Sequence, residues 1–218
     1  LVSPVEFIPV AETSGLIVDI GEWVFAQAMH QVKIWRARLD PNFQISVNKS
    51  PVQFENPNPK HPPWIDQLRA DGLDGTSVAV EITEGLLLSS SAGVAQQLLM
   101  LRNEGIQVSL DDFGTGYSSL SYLQRFSIDF VKIDRSFVKA LPNATNMALC
   151  QAIIAMAHAL GMRVVAEGVE TQVQADLLMN AGCDFAQGYL FSRPVSPDEF
   201  EALASKHFLN PREPDLLV

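Results

Sequence analysis

At 218 residues and 47% hydrophobic content, the chain is long enough to bury a core of domain size. A formal charge of −10 argues against duplex DNA or RNA as a partner, since that needs a cationic footprint, and no run of about 18 apolar residues offers a membrane span. Two cysteines, Cys150 in an apolar helix pattern and Cys183 before a strand signal, read as buried thiols of a reducing compartment rather than a disulfide framework.

The first twelve residues read as extended because Pro4 and Pro9 oppose an early helix, and they lack the basic and apolar regions of a signal peptide. Thr13-Ser14 offers a cap, and Leu16–Leu39 carries apolar residues at helical spacing, among them Leu16, Ile20, Trp23, Val24, Val32 and Trp35. Pro41 ends that helix, and a strand, Gln44–Val47, leads to Asn48. Dense prolines from Pro51 to Pro63 mark an irregular connection before a short helix, Trp64–Ala70. The strand Ser77–Ile82 carries Glu81 at its end, with Glu84 following, and the helix Ala92–Asn103 stops at Gly105.

A third strand, Val108–Asp112, ends in two acids, and a short helix is predicted over Ser118–Gln124. Phe130–Asp134 is a strand with Lys132 among apolar neighbours, and Met147–Leu160 is an apolar helix closed by Gly161. The strand Arg163–Ala166 delivers Glu167, Gly168 and Glu170; the helix Gln172–Asn180 stops at Gly182; and Asp184–Ala186 leads to Gln187. A last helix, Pro197–His207, precedes a polar tail, so the reading is one domain over residues 1–208 and a tail over 209–218. The three tryptophans, Trp23, Trp35 and Trp64, read as core or helix-packing residues. The histidines have no ligand spacing and receive no role.

Six strand signals alternating with helices predict an α/β fold with a parallel sheet. Each strand ends in or just before a residue able to bind a cation or phosphate: Asn48, Glu81, Asp111 with Asp112, Lys132, Glu167 and Gln187. In a parallel barrel the C-terminal strand ends share one face and that face carries the active site, whereas a doubly wound sheet gathers function at one switch point. The pattern favours the barrel. The stretch VSLDDFGTGY, residues 108–117, is the densest part of it, since two adjacent carboxylates repel each other and a divalent metal is the simplest way to hold both ionised. The bland alternative is a turn with solvated acids.

These stretches resemble the EAL domain, a (β/α)8 barrel that hydrolyses cyclic di-GMP. The matching segments are SVNKSPVQF at 46–54, VEITEGLLL at 80–88, SLDDFGTGYSSLSYL at 109–123, FVKIDRSFV at 130–138, VVAEGVET at 164–171 and AQGYLFSRP at 186–194. The resemblance implies a phosphodiesterase that uses two Mg²⁺ or Mn²⁺ ions and water to open the cyclic dinucleotide to linear pGpG, with Ca²⁺ inhibitory. It implies metal ligation by Asn48, Glu81, Asp111, Asp112 and Glu167, with Glu167 the general base and Lys132 orienting water or offsetting phosphate charge. It further implies Gln187, Glu170 and Asp112 at the substrate rim, and Glu84 holding the DDFGTGYSS loop.

The family's Glu-Ala-Leu stretch lies before the segment resembling LVSPVEFIP, and the sequence here begins at Leu1. The expectation is therefore an N-terminally incomplete domain, inactive or nearly so alone, whose activity belongs to an intact parent. A cyclic di-GMP receptor without catalysis is the alternative, and a purely regulatory module is a third. The resemblance also implies a homodimer, upstream GGDEF or sensory domains, and a bacterial cytoplasmic location, including the cytoplasmic part of a membrane-anchored protein.

Overall fold

A computed structural model describes residues 2–56, 60–88, 92–116, 123 and 126–208. The helix expected over Ser118–Gln124 and the tail over 209–218 lie outside the described residues, Leu123 excepted. The chain divides into two compact units, Leu1–Val108 and Ser109–Val218.

The first unit opens with helix α1, Pro4–Ser14, where an extended segment was expected. Pro4 sits in the first turn, where its missing N–H costs nothing, and the one interior bond lost at Pro9 does not stop the helix. Thr13 and Ser14 do not cap the next helix; their hydroxyls donate back to the carbonyls of Pro9 and Val10, 2.8 Å each, and Gly15 at φ 78° ends α1. Helix α2, Ile17–Arg38, buries Ile17, Gly21, Phe25, Met29 and Val32, a stripe at helical spacing. Trp23 falls off that stripe and is 64% exposed, which corrects its reading as a packing residue. Trp64 is buried and stacks on Phe25, with ring centroids 4.1 Å apart.

Strand β1, Ile45–Asn48, pairs in parallel with β2, Val78–Thr83, and the register sets Asn48 beside Glu81. Between them the expected irregular connection contains helix α3, Pro51–Glu55, because Ser50 and Gln53 form a capping box that satisfies its first N–H groups. Helix α4 is Trp64–Ala70; α5, Glu84–Leu88, follows β2 directly; and α6 is Ala92–Asn103. Val78, Ala79 and Val80 are all buried, as in a parallel strand covered on both faces.

Strand β3, Gln107–Phe113, leads into the second unit, where β3, β4 (Phe130–Ile133), β5 (Arg163–Ala166) and β6 (Phe185–Ala186) pair in parallel in that order. Its described residues also form helices α7 (Arg135–Lys139), α8 (Ala144–Ala159), α9 (Gln172–Asn180) and α10 (Pro197–Phe208). Leu110, Val131, Ile133, Val164 and Ala166 are each fully buried, so the strands are fixed by core packing while their C-terminal ends carry the polar groups. Cys150 and Cys183 are both free thiols. His158, given no role from sequence, pairs with Asp184 at 2.8 Å, and the same carboxylate oxygen accepts the Val164 N–H.

Candidate active site

The geometry of the second unit starts from an irregularity in β3. Leu110 pairs with Val131 and Phe113 with Ile133, so Asp111 and Asp112 together oppose Lys132. A bulge of this kind inserts an extra residue and re-aims a side chain, and Asp112 takes the left-handed conformation, φ 55°. Strict alternation would send the two adjacent acids to opposite faces; the bulge brings both to one cluster. The loop after it is tied down by Thr115, whose hydroxyl donates to the Asp112 carbonyl at 2.9 Å.

Lys132 is 4% exposed and its ammonium lies 3.1 Å from Asp111 Oδ1 and 2.6 Å from Glu167 Oε1. A buried lysine requires such partners, and two carboxylates from two neighbouring strands supply them. Glu167 is the residue after β5, and its N–H donates to the Ile133 carbonyl at 3.1 Å. The Gln187 side-chain amide donates to Glu167 Oε1 at 2.8 Å, so one carboxylate oxygen receives both Lys132 and Gln187. Gln187 is itself held by backbone bonds, its N–H to the Ala166 carbonyl and its carbonyl from the Val169 N–H. Gly168, at φ 67°, makes the turn between them, and a Cβ there would fall 2.6 Å from Arg135 Cβ.

Asp111, Asp112 and Glu167 each present a carboxylate oxygen, and these lie within 4.8 Å of one another. Burial, and then the charges of Asp111 and Asp134, push the Asp112 carboxyl above its usual range. Three hard oxygen donors that repel one another, beside the buried Lys132 ammonium, fit a hard divalent cation.

Asn48, Glu81 and Glu84 belong to the first unit, and Glu170 to the second. In the first unit, Asn48 is exposed at the end of β1, next to Glu81 in the register, and Glu84 begins α5 and is buried. Glu170 is exposed, and its backbone N–H donates to Gln174 Oε1 as part of the start of α9; it is not in the carboxylate cluster. Sequence reasoning did not single out Lys49, whose ammonium lies 4.6 Å and 4.4 Å from the Phe54 and Trp64 ring centroids. A lysine between a strand end and a proline gives no signal that aromatic residues from two later helices will surround it.

Parallel strands alternating with helices, with acids and a lysine at strand ends, define the class as an α/β protein of the β/α-barrel kind with an acidic site at the C-terminal strand ends. The EAL domain family model matches residues 1–194, and the chain belongs to the EAL domain family. Among curated relatives, the bifunctional diguanylate cyclase/cyclic di-GMP phosphodiesterase MucR of Pseudomonas aeruginosa is 37% identical over 207 residues, covering 93% of this chain and 30% of MucR. The solved PaMucR phosphodiesterase in complex with c-di-GMP superposes with a TM-score of 0.82 at 36% identity, over 91% of this chain and 81% of that one. Klebsiella pneumoniae BlrP1 with manganese and cyclic di-GMP gives 0.66 at 33% identity, over 78% of this chain and 42% of that one. The fold is accordingly a partial (β/α)8 barrel. The chain spans 24–30% of the length of the first curated relatives it matches.

Proposed function

We propose that the protein containing this chain hydrolyses cyclic di-GMP to linear pGpG with Mg²⁺ or Mn²⁺. The observation that carries this reading is the Lys132 ammonium held between Asp111 and Glu167, with Asp112 in the same carboxylate cluster. MucR, a relative over most of this chain, is a cyclic di-GMP phosphodiesterase, and BlrP1 has been solved with manganese and the dinucleotide, which supports the same substrate and ion.

Asp111, Asp112 and Glu167 would hold the cation, and Asn48 and Glu81 carry the further oxygen donors that the family resemblance assigns to ligation. The chemistry that a bound divalent ion supplies is polarisation of the phosphodiester and acidification of water. Glu167 takes a proton from the attacking water as general base. Its carboxylate is set for this by the two hydrogen bonds to Oε1, from Lys132 at 2.6 Å and Gln187 at 2.8 Å, which fix its rotation. The oxygen of the water bonds to phosphorus, one phosphorus–oxygen bond of the ring breaks, and the released sugar oxygen gains a proton. Lys132 brings a desolvated positive charge that offsets charge developing on the phosphate. Gln187, Glu170 and Asp112 meet the substrate, and holding the loop after Asp112 is the role that the family resemblance implies for Glu84.

Residues 1–208 are an N-terminally incomplete part of the domain, which works as a homodimer in the cytoplasm and follows GGDEF or sensory domains. The diguanylate cyclase activity of MucR supports the GGDEF arrangement. No helix among the described residues is long and apolar enough to cross a membrane.

The test is chromatographic detection of pGpG from cyclic di-GMP with Mn²⁺, on this chain and on a form extended upstream. Turnover by the extended form, lost in Asp111→Asn, is the expected result. Tight binding without turnover in the folded extended form would overturn the enzyme and leave a receptor.

A further inference from the structure

Asn48 is followed at once by two residues whose anchoring is unusually complete. The Lys49 N–H donates to the Glu81 carbonyl at 2.9 Å, continuing the β1–β2 ladder by one step. The Ser50 N–H donates to Gln53 Oε1 at 3.0 Å, while Ser50 Oγ accepts the Val52 N–H at 3.3 Å. Gln53 is 5% exposed and pressed so closely on Gly21 that a Cβ there would fall 2.0 Å from Nε2. These contacts come from the sheet, from α3 itself and from α2. One more comes from α1, 38 residues away: Ser50 Oγ donates to Glu12 Oε1 at 2.6 Å.

That last bond gives the Ser50 hydroxyl two jobs. Its proton goes to Glu12, which turns a lone pair toward the Val52 N–H and keeps the cap of α3 formed. The peptide units after Asn48 are thus pinned between β2 on one side and the α1 carboxylate on the other. Without Glu12 the hydroxyl is free to rotate, and the turn carrying the Asn48 backbone keeps its bond to Glu81 but loses its anchor to α1.

We propose that Glu12 is a positioning residue for Asn48, acting through the Ser50 hydroxyl to hold the Asn48 amide oxygen where it serves a divalent cation. The proposal rests on the reading of Asn48 as a metal ligand. Residues that orient ligands in this way typically contribute about 10–100-fold to metal affinity.

The experiment is Mn²⁺ titration followed by the electron paramagnetic resonance of the free ion, on the whole chain, with melting curves as the fold control. Glu12→Ala and Ser50→Ala should each weaken Mn²⁺ binding by about tenfold, while Glu12→Gln, which keeps an acceptor oxygen, should stay within about threefold of wild type. In an Asn48→Ala background, Glu12→Ala should have no further effect. An equal loss in that background would show a merely structural role and overturn the proposal. Should Asn48→Ala itself leave Mn²⁺ affinity unchanged, the ligand reading falls and the proposal with it. If Asn48→Ala weakens binding but Glu12→Ala and Ser50→Ala do not, only the positioning role is overturned.

Discussion

Replacing Lys132 by methionine keeps a long apolar stem and deletes the charge, so it isolates what the ammonium does. The side chain is 5% exposed, and its two partners, Asp111 and Glu167, are 17% and 15% exposed. Removing one member of a buried ion pair typically costs about 3–5 kcal/mol, because the remaining charge is left uncompensated. The two pairs here share one lysine, so they are lost as a single event rather than summed. Because both carboxylates keep some contact with water, the lower end applies, about 3 kcal/mol. For a chain of this size that is a fall in Tm of roughly 6–12 °C. A divalent cation should substitute in part for the missing charge, so the variant should regain more stability from Mn²⁺ than wild type does. Differential scanning fluorimetry in EDTA and then in Mn²⁺ measures both effects. A variant melting within about 2 °C of wild type in EDTA would refute the argument that the cluster depends on this ammonium.

Gly168→Ala forces a side chain onto a φ of 67° and against Arg135, and should cost about 1–3 kcal/mol in urea melts while misplacing the adjacent Glu167; unchanged stability would contradict the close approach. Burial pulls the Lys49 ammonium down to about 8, with the Glu22 carboxylate opposing, whereas the unfolded chain holds that proton to its usual 10.5. Between those pH values the unfolded state binds more protons, so wild type should gain stability with rising pH relative to Lys49→Met, and parallel stability curves would count against it. Burial also pushes the Cys183 thiol up to about 11, so iodoacetamide at pH 8 should modify it roughly 100-fold more slowly than an ordinary thiol; mass spectrometry showing full modification at a free-thiol rate would contradict this.

The parts of the fold legible in the sequence were those with a strong local cause. The bounds of α4, α6, β5 and α9 follow directly from apolar periodicity and from glycines that end the helices, with Gly72, Gly105 and Gly182 all at positive φ. Helix α1 is not legible because Pro4 and Pro9 both argue against a helix, although Pro4 lies where it costs nothing. Helix α3 was hidden in a proline-rich stretch, though Ser50 and Gln53 at capping-box spacing are its signature. For Trp23, helical spacing alone could not decide which stripe of a broadly apolar helix faces the core; Phe25 and its stack with Trp64 decide it.

The candidate site shows a sharper boundary. Strand ends with polar residues can be counted in a sequence, but the bulge that sets Asp111 and Asp112 together opposite Lys132 cannot, because it depends on how β3 meets β4. The pairing of Lys132 with Glu167 is likewise set by β4 lying beside β5, not by spacing along the chain. The Glu12–Ser50 bond joins residues 38 apart through helix packing and left no trace in any motif.

The measurement that tests the central claim most directly is calorimetric titration of Mn²⁺ into the chain and into Asp111→Asn, Asp112→Asn and Glu167→Gln. If these three carboxylates form a cation site, the chain binds Mn²⁺ stoichiometrically, each variant weakens binding by tenfold or more, on the order expected for a lost charged ligand, and the variants remain folded. Unchanged Mn²⁺ affinity in all three would mean that the cluster is a turn with solvated acids, and the catalytic account would have no centre.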